Sequence, residues 1–474
     1  MKYIPTIGLE IHAELKTDSK MFCNCKNDPL EKRPNFNICP VCMAHPGTLP
    51  VINERAVDYV IKTGLAMNCQ ISSDSKFERK NYFYPDLPKG YQISQYVQPL
   101  CRSGFFDLKD KRIRIERIHL EEDTARLIHE KDNTLVDFNR AGIPLMELVT
   151  EPDFENGIQV HEFAKGLQLI LRYLNVSDAD MEKAQLRLEA NISISKNKTL
   201  GTKVEVKNLN SFRVVKKAID YEIKRQTEVL EAGDKVIQET RGWDKDKTVS
   251  QRSKEEAHDY RYFPEPDLPP LSFTKEYIKN LENQIPELPA SKKQRFKDEY
   301  DLKEKDIETF IFNKDLSEFF EQVVSELAEW RKELKNIAQL SANYILTDLA
   351  GIMGSMSVED KKFLITPENF AEFISLIYKK EIMSKIAKIV LKEMFETGGD
   401  PSEIIKDRGL SKIESKDELA GVVQEIIKNN QKAVNDFKKG KQNALQFLIG
   451  KAMAKTKGRA SPKDVENLFT NALK

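Results

Sequence analysis

The chain has 474 residues, of which 40% are hydrophobic and 32% charged, and its 75 Lys and Arg are matched by 75 Asp and Glu. That length exceeds one compact core and predicts several folding units; no apolar run approaches the roughly 20 residues that cross a bilayer, so no membrane span is expected. With a net field near zero, a polyanion is not drawn by overall charge, and any nucleic-acid contact must come from local patches.

The opening residues, MKYIPTIGLEIH, run straight into a strand pattern without the basic, apolar and small-residue segments of a leader, which makes a reducing cytoplasm the expected setting. In Ile7 to Leu15 apolar and polar residues alternate, so a half-buried strand turns Glu10, His12 and Glu14 to one side. Next come Cys23-Asn24-Cys25 and Cys39-Pro40-Val41-Cys42, a CxC and a CxxC within twenty residues. Four thiolates so paired can close a tetrahedral Zn²⁺ site with no open position, which would make it structural; four ordinary thiols or disulfides are the alternative. Cys69 and Cys101 stand alone and read as buried thiols.

Further along, His119 to Ala125 and Leu145 to Asp153 are acidic strand ends. Leu186 to Ile194 turns Arg187, Glu189 and Asn191 the same way, and Lys203, Glu205 and Lys207 alternate with Val204 and Val206. Any one of these faces could simply be solvated. Gathered on one concave face, however, their carboxylates would repel unless a cation sat among them, and Mg²⁺, which takes oxygen ligands beside substrate phosphates, is the natural candidate.

After about residue 290 the periodicity is almost wholly helical. The prolines of Ile285 to Ser291 mark a linker or helix entry, and helical patterning such as that from Leu316 to Leu334 follows. Thr366-Pro367-Glu368 opens an amphipathic run expected to reach Phe395, and Gly398-Gly399-Asp400-Pro401 marks a second boundary. The domains expected are therefore 1–290, 291–399 and 400–474. The last of them has a helix start at Ser461-Pro462 and is locally basic: from Lys428 to Lys463 there are ten Lys or Arg and one acid, Asp436. There is no GxxxxGK[ST] and no GxGxxG, so generic motifs place no nucleotide. Met383-Ser384-Lys385 echoes a synthetase signature, but it falls in a helical run and reads as helix surface and core.

These segments, together with Arg79 to Gln95 (RKNYFYPDLPKGYQISQ), Asp137 to Gly142, Lys207 to Phe212, Glu239 to Gly242 and Asp259 to Asp267, resemble the GatB family of tRNA-dependent amidotransferase subunits over nearly the whole length. The resemblance implies an α+β protein: a β-rich cradle of the GatB/GatE kind, a helical domain and a small YqeY-like tail. It implies transfer of the γ-phosphoryl group of ATP to the side-chain carboxylate of Glu-tRNA(Gln) or Asp-tRNA(Asn), followed by amidation with ammonia. No amidase signature is present, so ammonia would come from the glutaminase subunit GatA, joined through GatC.

By the same resemblance Mg²⁺ falls on Glu10, His12 and Glu122, with Glu151 and Glu189 as nearby acids in the catalytic set. Glu189 departs from the family's frequent Asp, which lengthens its reach by about one bond. Lys80, Arg140, Lys207 and Arg261 become the cations for ATP phosphates or the tRNA 3′ end, and Tyr82, Phe83, Tyr84 and Tyr91 could stack the terminal adenine or simply pack. Lys438, Lys439, Lys441, Lys451, Lys455, Lys457 and Arg459 become a tRNA-contacting face, beside Leu445, Leu448, Ile449 and Met453 turned to a small core. The competing reading is a non-catalytic tRNA-binding scaffold, in which the acids are only a solvated sheet face.

Overall fold

The structure, a computed structural model, describes residues 3–197, 199–253, 260–327, 334–413 and 415–473. Asp259 of the last family segment and residues 328–333 of the expected 316–334 helical stretch lie outside the described residues. The chain forms two compact units, Met1–Pro289 and Ala290–Lys474.

The first unit is built on a nine-stranded sheet. In spatial order its strands are Lys247–Ser253, Glu239–Asp244, Val204–Lys207, Leu186–Ser195, Ile4–Glu14, Pro144–Thr150, Arg112–Glu122, Cys101–Asp107 and Gln70–Ile71. Pairing is antiparallel except between Val204–Lys207 and Glu239–Asp244. Strand period two separates the faces as the alternation predicts. Ile7, Leu9, Ile11 and Ala13 of the central strand are at most 1% exposed, and so are Ile118 and Leu120. Against this apolar face pack Glu54–Ala66 and Phe212–Glu231, with Gly157–Tyr173 joined through Phe163, whose ring meets Phe106 and Phe154 edge-on at 5.4 and 5.3 Å. Each helix starts where a side chain accepts a free backbone N–H: Asn53 from Ala56, Asn156 from Ile158 and Gln159, and Ser211 from Val214. A three-stranded sheet, Arg261–Pro264, Glu78–Asn81 and Tyr91–Ser94, completes the part that matters for the site.

The second unit is helical. Phe296, Phe310 and Phe320 cluster at its start, and Phe319, Phe370 and Phe373 continue the aromatic core. The run expected from Thr366 to Phe395 is two helices, Pro367–Tyr378 and Ser384–Thr397. Between them the chain reverses at Lys380, whose φ is +61°, with Lys380 N–H and Glu381 N–H donating to the carbonyls of Ile377 and Leu376. Ser384 therefore begins a helix instead of lying inside one. From Ile413 onward a separate core gathers Leu419, Val423, Leu445, Leu448, Val465 and Phe469.

Candidate active site and metal centres

On the sheet face opposite the helices, four neighbouring strands set one polar row. Arg187, His12, Glu147 and His119 stand directly opposite one another in Leu186–Ser195, Ile4–Glu14, Pro144–Thr150 and Arg112–Glu122. Flanking rows add Glu189 opposite Glu10, and Glu14 opposite Leu145 opposite Glu121. Side chains directly opposite share a face, so the register alone delivers acids and histidines from four distant segments to one place. All of these but Glu14 line a cavity of about 670 Å³, whose other walls include Lys80, Tyr82, Tyr96, Tyr260 and Tyr262 from the three-stranded sheet and its flanks, and Glu205 and Lys207.

Within it, His12 Nε2 lies 3.5 Å from Glu121 Oε1, 3.5 Å from Glu147 Oε2 and 3.9 Å from Glu10 Oε1. His119 Nε2 is 3.4 Å from the same Glu147 oxygen, and Arg117 Nη2 is 3.6 Å from the other. Lys207 Nζ pairs with Glu189 at 2.9 Å, and Arg187 Nη2 with Asp123 at 2.7 Å. Burial, and then repulsion from Glu147, push the Glu10 carboxyl up to about 6. Burial by itself would lower His12, but Glu147, Glu121 and Glu10 outweigh it and raise the imidazole to about 9. Burial likewise opposes the charge on Lys80, which Glu121 and Glu147 nonetheless hold protonated. The cluster thus calls for positive charge at its centre.

One donor atom each from Glu10, His12 and Glu147 lies within 4.8 Å of the others, and the same holds for His119, Glu121 and Glu147. Carboxylate oxygens with an imidazole suit a hard divalent cation.

Of the residues singled out from sequence, Glu10, His12, Glu189, Lys80 and Lys207 line this cavity, and four do not. Glu122 is a correction. It stands opposite Pro144 on the other face of the strand, its carboxylate 2.6 Å from Lys89 Nζ and accepting from Ile93 N–H at 2.9 Å. Period two makes Glu121 the residue that faces His12. Glu151 follows the strand end, where its N–H donates to the Arg114 carbonyl, and is not part of the wall. Arg140 donates to the carbonyls of Thr124 and Ala125 and lies 3.6 Å from Asp123 without itself lining the cavity, and Arg261 is exposed between Tyr260 and Tyr262, which do face it. Of the four aromatics expected to stack the terminal adenine, Tyr82 lines it and Phe83, Tyr84 and Tyr91 do not. Phe83 and Tyr84 are exposed, and Tyr91 lies under Arg79, 4.3 Å from the guanidinium to the ring centre. Glu121, Glu147, His119 and Arg117 were not assigned from sequence, although the alternation of His119 and Glu121 with Ile118 and Leu120 carried the signal.

Cys23, Cys25, Cys39 and Cys42 bring their sulfurs within 4.8 Å of one another. Tetrahedral Zn–S bonds of about 2.3 Å require sulfurs about 3.8 Å apart, so the donor set fits a tetrathiolate ion. Beside it Lys20 is fully buried, its Nζ 3.2 Å from the Phe138 carbonyl and 3.9 Å from Cys42 Sγ. Cys69 and Cys101 are buried away from this group. In the tail, Lys438, Lys439, Lys441, Lys451, Lys455 and Lys457 are exposed and Arg459 is half-buried; Lys441 pairs with Asp436 at 3.0 Å, and Lys455 with Glu425.

A sheet-based module whose cavity gathers acids, imidazoles and lysines, continued by an all-helical unit, defines a two-part protein with a catalytic N-terminal half. Comparison with known proteins makes that class specific. Residues 5–279 match the family described as GatB/GatE catalytic domain, and residues 318–473 match the GatB domain. The chain is 46% identical to the B subunit of the aspartyl/glutamyl-tRNA(Asn/Gln) amidotransferase of Persephonella marina, and 45% identical to that of Caldanaerobacter subterraneus, over 100% of both chains in each case. It is also 45% identical to the corresponding subunit of Thermotoga petrophila, over 100% of this chain and 99% of that one. The chain belongs to the GatB family. Among its described residues no helix is long and apolar enough to cross a membrane.

Proposed function

We propose that this chain is the GatB component of a glutamine-hydrolysing aspartyl/glutamyl-tRNA amidotransferase, a carbon–nitrogen ligase. Its cradle uses ATP to activate the side-chain carboxylate of Glu-tRNA(Gln), Asp-tRNA(Asn) or both. The observation that carries the reading is the meeting of Glu10, His12, Glu121 and Glu147 with Lys80 and Lys207 in one cavity.

The chemistry explains that composition. A carboxylate oxygen leaves badly, so ammonia cannot displace it directly. Phosphoryl transfer forms a bond between the γ-phosphorus and a carboxylate oxygen and breaks the bond to ADP. Ammonia then attacks the acyl carbon, and phosphate departs with the proton that nitrogen gives up. Such transfers rest on positioning and charge neutralisation more than on covalent help from the protein. Glu10, His12 and Glu147 would hold Mg²⁺, which when bound neutralises charge on the phosphoryl oxygens. Lys80 and Lys207 line the same cavity and would receive phosphate oxygens. Tyr82, Tyr260 and Tyr262 supply ring surface for a base. Cys23, Cys25, Cys39 and Cys42 would hold a structural Zn²⁺. GatA would deliver ammonia and GatC would join the two larger subunits, while the tail lysines and Arg459 would meet tRNA phosphates.

In the assembled complex, Glu147→Gln is expected to slow formation of phosphorylated aminoacyl-tRNA from ATP by about a hundredfold or more, about 2.7 kcal/mol, with tRNA affinity retained. A normal rate would favour the non-catalytic scaffold instead.

A further inference from the structure

Two features at one edge of the cavity are left over by phosphoryl transfer. The rings of Tyr96 and Tyr262 lie stacked, 4.4 Å between centres and 15° between planes, and both line the cavity. Tyr96 is nevertheless 52% exposed. Its backbone is pinned: the buried Glu78 carboxylate accepts from Tyr96 N–H at 2.7 Å and from Val97 N–H at 2.8 Å. A ring fixed in this way stacks on a flat ligand with little further loss of freedom. The second feature is electrostatic. Arg102 and Arg117 stand directly opposite each other in Cys101–Asp107 and Arg112–Glu122, so two guanidiniums leave the sheet on one face. Arg117 lines the cavity, 2.7 Å from Glu116 and 3.6 Å from Glu147. Arg112 and Arg114 each close a two-bonded pair with a carboxylate, Asp107 and Asp153. Arg102, by contrast, is exposed and has no carboxylate partner among the described residues; its Nη2 donates to the Val97 carbonyl, which holds the guanidinium beside Tyr96. Like charges directly opposite on paired strands cost stability, and an anion between them removes the repulsion.

We propose that Tyr96, backed by Tyr262, and Arg102 with Arg117 hold the single-stranded 3′ end of the substrate tRNA at this edge, the ring stacking on a base and the guanidiniums taking the phosphate beside it. This rests on the reading of the chain as one that acts on aminoacyl-tRNA. A flat base next to an anionic phosphate is the repeating unit of a nucleic-acid strand, and the Arg102–Val97 hydrogen bond joins the two matching halves of the site. Position favours a strand over the ATP nucleotide. Tyr96 and Arg102 reach solvent, where a chain that continues into a folded tRNA must pass, whereas the half-buried Lys80 and Lys207 lie in the cavity wall for the triphosphate. Stacking and phosphate contacts do not read base identity, so this edge positions the acceptor end and leaves the choice of tRNA to other contacts.

A binding cycle on the assembled complex tests this, with the tRNA(Gln) or tRNA(Asn) that it amidates, either intact or lacking its single-stranded 3′ nucleotides, across a salt series. For the wild type, loss of those nucleotides is expected to weaken binding by about tenfold or more. Tyr96→Ala should weaken intact tRNA to a similar extent and make the truncation nearly silent, and Tyr96→Trp should restore the affinity. Arg102→Gln should flatten the slope of log affinity against log salt by about 0.7 for intact tRNA and leave the slope for truncated tRNA as it is. In turnover, Tyr96→Ala and Arg102→Gln should raise KM for aminoacyl-tRNA and leave KM for ATP unmoved. Both side chains are exposed, so neither substitution empties the core. A truncation that costs Tyr96→Ala as much as it costs the wild type overturns the strand site. So does a raised KM for ATP with tRNA affinity unchanged, which would give the ring to the ATP base. Because the cycle measures affinity alone, either failure leaves the phosphoryl-transfer reading standing.

Discussion

Two adjacent carboxylates, Glu121 and Glu122, leave one strand on opposite sides, and their different neighbours give the same substitution different consequences. Glu122→Gln weakens a buried contact with Lys89; a loss of about 1–3 kcal/mol is expected in a denaturant titration, with Mn²⁺ binding in the cavity unchanged. Glu121→Gln should show the reverse, a weaker metal response and a smaller change in stability. Either pattern inverted would mean that the strand faces are wrongly assigned. Lys20 poses a second residue-scale question. A tetrathiolate zinc site carries a charge of about −2, and the buried Lys20 ammonium beside Cys42 offsets part of it. Lys20→Met is therefore expected to release zinc to a chelator faster than the unaltered chain, and equal release rates would remove the lysine from this role. Cysteine spacing made the thiolate group legible in sequence. Lys20 was not, because nothing in its neighbours says that a lysine goes inside.

At the scale of elements, alternation told which strands have a polar face, but its phase had to be followed residue by residue. In Arg112–Glu122 the buried apolar residues are Ile113 and Ile115, then Ile118 and Leu120, because the register slips where Val149 pairs with Arg117 and Thr150 with Ile115. The extra residue, Glu116, shifts the phase, as a bulge does. The helices show the converse case. Nothing between Lys379 and Met383 is Gly or Pro, so the pattern from Thr366 onward reads as continuous, and packing decides the break. The outer ends of the pair were legible. Thr366 accepts from Asn369 N–H at 3.2 Å, and Gly398 closes the second helix at φ +72°. Thr366→Ala should lower stability by about 1 kcal/mol. Gly398→Ala should cost about 1–2 kcal/mol, since it strains a left-handed position and places a Cβ 2.9 Å from that of Leu364. Thermal melts of the full chain check both, and an unchanged Tm for Gly398→Ala would contradict the cap geometry.

At the scale of the whole molecule, a net charge of zero leaves tRNA attraction to a local surface, and the exposed tail lysines are the concentrated one. Replacing Lys438, Lys439 and Lys441 with Glu is expected to weaken tRNA binding and to flatten the slope of log affinity against log salt by about 2 to 3, because fewer counterions are released. An unchanged slope would show that tRNA is held elsewhere. The sequence by itself determined the two kinds of architecture, the polar and apolar faces of the central strands, the thiolate group and the family, because periodicity, spacing and long residue runs are local properties. Only the tertiary structure decided which carboxylates meet. Antiparallel register sets His12 against Glu147 and Glu147 against His119 across as many as 135 positions of sequence, 147 less 12, and a one-residue change of phase sends a side chain to the other face.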